Sequence, residues 1–166
     1  LDTKPNLYGR GRFLITGGSG GLGLVSAQAL FAAGAQEVIL CARTIHQPQV
    51  QQDIERIRAL YPGRTLLGKS ADLTDKEQVR SLLLELNGDG QLRGIIHAAA
   101  LGVKKPLLEH TDEDIDTVFT AKVRGAWYLH ELTQEMKLEF FIIYSSISSV
   151  FGSNRESIYS GANSFC

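Results

Sequence analysis

Five short apolar runs, separated by amphipathic segments, constrain the fold of this chain more than any other feature. The runs are Arg12–Thr16, Glu37–Cys41, Thr65–Leu67, Gly94–His97 and Phe140–Tyr144. Rich in Val, Ile and Leu, they have the pattern of buried strands. Between them, Gly21–Ala33, Gln49–Leu60, Asp75–Leu86 and Asp112–Glu135 carry apolar residues at three- and four-residue spacing, as helices lying on a sheet do. Thr74 or Asp75 and Thr111 are the predicted N-caps, and Pro62-Gly63 stops the second helix. Such alternation predicts an α/β fold, a doubly wound parallel sheet with right-handed crossovers and strand order 3-2-1-4-5. No repeat, low-complexity tract or linker interrupts the pattern, so residues 1–166 are expected to form one domain.

Composition excludes several function classes. A content of 43% hydrophobic and 21% charged residues is that of a globular protein. Seventeen basic residues nearly balance eighteen acidic ones, and they form no stripe suited to a phosphate backbone or a membrane surface. Neither nucleic acid nor membrane is therefore an expected partner. Cys41 and Cys166, the only two cysteines, make no disulfide framework and no metal spacing, which fits a reducing cytoplasm and predicts no metal. The chain starts at Leu1 and ends in an apparent helix at Ser164-Phe165-Cys166, so a piece of a longer polypeptide is expected.

The first run leads directly into Thr16-Gly17-Gly18-Ser19-Gly20-Gly21-Leu22-Gly23 and then a helix. Glycines in a strand-to-helix turn let a pyrophosphate approach the backbone, while the helix N-terminus supplies amide donors and positive potential. In this context the motif predicts a Rossmann-like dinucleotide site. After the second strand, Cys41-Ala42-Arg43-Thr44 has no carboxylate to hold ribose hydroxyls. Arg43 offers a positive fork for a 2'-phosphate instead, so NADPH is favoured over NADH, although a surface arginine without a ligand is the plain alternative. Asp72-Leu73 falls where an adenine-contacting loop is expected, and Asp72 suits a turn or cap equally well.

The fifth run ends in Tyr144-Ser145-Ser146, with Tyr159-Ser160-Gly161-Ala162-Asn163 following, and the long fourth helix contains AKVRGAWYLHEL from Ala121 to Leu132. Together with TGGSGGLG and the IIHAAA block that includes Ala98, Ala99 and Ala100, these segments resemble the short-chain dehydrogenase/reductase superfamily. The resemblance covers almost the whole chain and is specifically to ketoreductase domains of polyketide synthases and related fatty-acid synthases. Most of the superfamily has a lysine four residues after the active tyrosine. Here Asn163 stands there and the lysine is Lys122, the exchange found in the synthase ketoreductases.

That resemblance implies NADPH-dependent reduction of a 3-oxoacyl thioester on an acyl carrier protein, with other synthase domains as partners in a parent chain. A free tyrosine, with a pKa of about 10, gives up its proton reluctantly, and a nearby cation makes it a better acid. The resemblance makes Tyr159 the general acid, Lys122 the cation that also holds ribose or a relay water, Ser146 the donor to the carbonyl oxygen, and Asn163 the residue ordering the relay. It also implies that Ala98, Ala99 and Ala100 border the nicotinamide ribose. His97 is expected to be packed or hydrogen-bonded, and His130 and Trp127 to belong to a helix face.

The chain departs from the family at Ala100, where a glycine is usual and a methyl group is expected to crowd the cofactor path. Gly102-Val103-Lys104 and Phe151 lack the markers of either stereochemical type. The family's last strands and substrate-covering lid have no counterpart before Cys166, so an exposed sheet edge is expected. Two further readings stay open: a non-catalytic, cofactor-binding synthase module, and a free-standing reductase of a small ketone.

Overall fold

The computed structural model describes residues 11–166. Strands β1 (Arg12–Thr16), β2 (Glu37–Cys41), β3 (Thr65–Lys69), β4 (Leu92–His97) and β5 (Phe140–Ile143) form one parallel sheet in the order β3-β2-β1-β4-β5. This is the order expected from the alternation. Strands β3 and β4 are two residues longer than predicted, β3 at its end and β4 at its start, because their backbones continue to pair with β2 and β1.

Helices α1 (Gly21–Ala32) and α2 (Pro48–Leu60) cover one face, and α3 (Lys76–Asn87) lies on the other. Alternation along the central strand assigns the two layers: Phe13 and Ile15 pack with Ala27, Leu30 and Ile54, whereas Leu14 packs with Val79, Leu83 and Leu129. Side chains from both faces of β1 and β2 are fully buried, which explains why these runs carry no polar alternation. At the sheet edge, β5 is half-buried to exposed.

Asp75 is the cap of α3: its carboxylate accepts from the Glu77 and Gln78 amides. Thr74 instead donates its amide to Asp72 Oδ1 in the preceding turn. Thr111 and Asp114 form a reciprocal capping box on α4 (Asp112–Phe119).

The expected single helix over 112–135 is a correction. After α4 the backbone widens into a π turn at Thr120–Arg124, and α5 (Gly125–Thr133) follows. The turn is held by contacts to distant strands, a cause that local periodicity does not register. Two short helices, α6 (Ser148–Phe151) and α7 (Ser157–Phe165), complete the described residues, and α7 packs Ile158 and Ala162 against Val118 of α4. Among the described residues no helix is long and apolar enough to cross a membrane.

Candidate active site

The carboxyl ends of β1, β2, β3 and β4 converge on one cleft of about 240 Å³. The chain reverses its strand order between β1 and β4, the point in such sheets where a crevice opens. Gly17, Ser19 and Gly20 line the cleft from the β1–α1 turn. Arg43 joins them after β2, Asp72 and Leu73 after β3, and Ala98, Ala99 and Ala100 after β4.

Gly17 lies in the left-handed region at φ 72°, and a Cβ there would stand 2.5 Å from the Ala99 amide nitrogen. Only glycine satisfies both demands. A Cβ on Gly23 would lie 2.6 Å from the Gly17 carbonyl oxygen, so α1 starts hard against the turn. Thr16, Gly18, Gly21, Leu22 and Gly23 do not line the cleft. Thr16 and Gly23 are buried beneath it, while Leu22 faces outward.

Arg43 is exposed on the rim, and among the described residues no carboxylate pairs with it. Beside it, the hydroxyls of Ser19 and Thr44 are 2.9 Å apart, joining the glycine turn to the end of β2. Asp72 both borders the cleft and accepts from Thr74, so it serves as a turn residue at the rim. Ala100 is exposed on the cleft wall. Burial pushes the Cys41 thiol up to about 12, which makes it an inert wall residue. Thr44, Thr74 and Ala121 also line the cleft and were not anticipated. Adjacency to Arg43 and Asp72 signals the two threonines, but nothing local signals Ala121.

Ala121 joins the cleft to a second group of residues, because Lys122 follows it in the π turn. Lys122 is 2% exposed, and burial lowers its pKa from the usual lysine value. Its Nζ donates to the Tyr144 carbonyl just beyond β5. Ser145 Oγ donates to the Asn163 carbonyl at 2.8 Å, and Asn163 Nδ2 donates to the Tyr159 carbonyl at 2.8 Å. These bonds link the π turn, the end of β5 and α7. Asn163 is 1% exposed and its Oδ1 has no partner among the described residues. Tyr159 is half-buried and packs against the cluster of Val118, Ile158 and Ala162.

Ser146 Oγ accepts from the Ser148 amide at 3.2 Å and from the Ser148 hydroxyl at 2.9 Å. Both lone pairs are thereby engaged, and the Ser146 proton is left to donate elsewhere. Ser26 Oγ donates to the Leu22 carbonyl and therefore accepts from Tyr144 Oη at 2.8 Å, tying α1 to the end of β5.

His97 is fully buried at the end of β4, hydrogen-bonded as expected. Burial pushes its pKa down to about 4, so the ring is neutral in the folded protein. The unfolded ring, near 6.5, takes up a proton that the folded ring refuses as pH falls. Stability contributed by His97 is thus present above about pH 6.5 and lost on acidification towards pH 4, by roughly 3 kcal/mol. Urea unfolding of the chain across that range should show the loss, and His97→Gln should remove this component of the slope. Trp127 and His130 lie together on the outer side of α5, with ring centroids 5.7 Å apart, as helix-face residues.

A parallel sheet of this order, with a glycine turn opening onto a cleft at its switch point, defines a Rossmann-like fold with the cleft where such sheets bind dinucleotides. A family model described as KR domain matches residues 11–166, and the chain belongs to that family of ketoreductase domains. It is 36% identical over 156 residues to a phthioceranic/hydroxyphthioceranic acid synthase of Mycobacterium bovis, covering 93% of this chain and 7% of that protein. It is 35% identical over 158 residues to polyketide synthase PksN of Bacillus subtilis, covering 94% of this chain and 3% of that one. A crystal structure of a ketoreductase domain from the bacillaene assembly line superimposes with a TM-score of 0.86 at 32% identity, over 93% of this chain and 37% of the other. The chain thus spans only a small fraction of the length of the synthases it matches, 7% of the first and 3% of the second.

Proposed function

We propose that this chain is the catalytic domain of an NADPH-dependent ketoreductase acting on a 3-oxoacyl group, held as a thioester on an acyl carrier protein, to give the 3-hydroxyacyl product. Residues 1–166 belong to that one domain, and the other synthase domains of a parent chain are its working partners. The observation that carries the reading is the meeting of two groups at the π turn: Ala121 walls the nucleotide cleft, and Lys122 beside it is drawn onto the end of β5.

The residues fit a dinucleotide. Gly17, Ser19 and Gly20 present the turn to the cleft ahead of the α1 N-terminus, where main-chain amides suit a pyrophosphate, and Arg43, which no carboxylate pairs among the described residues, suits a 2'-phosphate. When bound, NADPH supplies the hydride to the carbonyl carbon. Tyr159 gives its proton to the carbonyl oxygen. Ser146, with both lone pairs engaged by Ser148, donates its remaining proton to the same oxygen. Lys122 supplies the positive charge that favours loss of the Tyr159 proton. Asn163 Oδ1, buried and unpartnered, accepts from the water that returns a proton to the tyrosine.

Arg43 sets the cofactor preference. A charge-assisted pair with phosphate is worth about 1.5–3 kcal/mol, so Arg43→Ala should raise the KM for NADPH roughly 10- to 100-fold and leave that for NADH nearly unchanged. Initial rates with each cofactor measure this directly. The reading itself is tested by NADPH consumption by the purified parent protein with a 3-oxoacyl thioester. Cofactor binding without turnover would replace it with the non-catalytic module.

A further inference from the structure

Lys122 is anchored at both ends. Its carbonyl oxygen lies 3.1 Å from His97 Nε2, and its ammonium donates to the Tyr144 carbonyl. The Tyr144 amide in turn donates to the His97 carbonyl at 3.0 Å, which closes a ring of three residues across the ends of β4, the π turn and β5. A carbonyl only accepts, so the imidazole proton is on Nε2, and Nδ1 accepts from the Thr16 hydroxyl at 2.7 Å. Both ring nitrogens are thus used, one towards the lysine and one towards the residue preceding the glycine turn. A Cβ on Gly125 would stand 3.2 Å from His97 Cε1, so the helix packs directly on the ring where the π turn ends.

Each element of this arrangement restricts one freedom of Lys122. The π turn gives the segment a backbone geometry that a straight helix lacks, and such turns persist where something outside the helix holds them. Here the Nε2–H of His97 holds the Lys122 carbonyl, and the Tyr144 carbonyl receives the far end of the same side chain. The imidazole is buried and neutral, so its donor does not switch off within the ordinary working range of pH.

We infer that His97 is a positioning residue that aims Lys122 by gripping its backbone carbonyl in the π turn, and so couples the lysine to the strand that carries the nucleotide turn. This inference rests on the reductase reading of Lys122. His97 touches neither substrate nor cofactor in this scheme and acts only through the lysine.

Two substitutions in the full parent protein separate this role from simple packing. His97→Leu keeps an apolar side chain in the site and loses both hydrogen bonds. His97→Gln retains an amide donor at the reach of Nε2 for the Lys122 carbonyl. A misplacement of about 1 Å costs on the order of 100-fold, so His97→Leu should lower kcat by about that factor, with the Kd for NADPH changed less than about threefold. His97→Gln should recover kcat to within about fivefold of the unsubstituted protein.

Because His97 acts through Lys122, adding His97→Leu to a Lys122→Met protein should lower kcat by less than about twofold further. Acetic anhydride labelling of the intact parent, read by peptide mass spectrometry, gives a readout that needs no turnover. Lys122 should label roughly tenfold faster in His97→Leu than in His97→Gln. Equal loss of kcat and NADPH binding in both variants, or full additivity with Lys122→Met, would overturn the inference. So would equal labelling of Lys122 in the two variants. Absence of turnover in the unsubstituted parent would sink the reductase reading alone, and the labelling ratio would still decide where His97 holds the lysine.

Discussion

Replacing Tyr159 by phenylalanine in the parent protein should lower kcat for a 3-oxoacyl thioester by about 10²- to 10⁴-fold and leave NADPH affinity within about twofold. The ring remains, so its packing against the cluster of Val118, Ile158 and Ala162 is kept, and only the hydroxyl is removed. Tyr159 lies on α7, outside the cleft lined by the glycine turn, so the cofactor loses no contact made there. A rate within threefold of the unsubstituted protein would remove Tyr159 as the proton donor. NADPH consumption and NADPH fluorescence titration, measured on the same preparation, separate chemistry from binding.

The second large effect is expected at Gly17. Alanine there pays twice: for the left-handed backbone, and for a methyl group 2.5–2.7 Å from the main chain of Ala98 and Ala99. Those neighbours follow β4 directly, and the Ala98 amide donates to the Thr16 carbonyl at 2.9 Å, so they have little room to retreat. Left-handed backbone alone costs an L-residue about 1–2 kcal/mol, and the collision adds to it. Gly17→Ala should therefore unfold at lower urea concentration, by at least about 2 kcal/mol, and bind NADPH roughly 100-fold more weakly because the turn is displaced. Calorimetric titration with NADPH checks the second effect. Binding within threefold would show that the nucleotide does not rest on this turn.

The sequence made most of the fold legible. Strand β1 needs only its local run of apolar residues to be recognised, and a right-handed crossover then leaves few ways to order five strands. Arg43 and Asp72 could be assigned to the cleft because residues at the carboxyl ends of parallel strands meet at the switch point. The threonine cap at Thr111 was legible for a local reason: its capping box closes within four residues.

Residues whose roles depend on distant partners were harder to read. Lys122 could be named from the resemblance, but its burial and its bond to the Tyr144 carbonyl depend on a residue 22 positions away. The engagement of both lone pairs of Ser146 rests on the fold of α6, which no periodicity marks because the helix is only four residues long. The hydroxyls of Ser26 and Tyr144 meet across 118 residues. His97 looked from its neighbours like one more packed residue at a strand end.

By itself, then, the sequence determined the layer architecture, the strand order and the glycine turn, because periodicity and turn chemistry act within a few residues. Only the tertiary structure decided the π turn at 120–124 and the setting of Lys122 within it. That geometry is held by His97 and Tyr144, from strands that reach the helix only when the sheet is assembled, and hydrogen bonds of this kind leave no periodic trace in the chain.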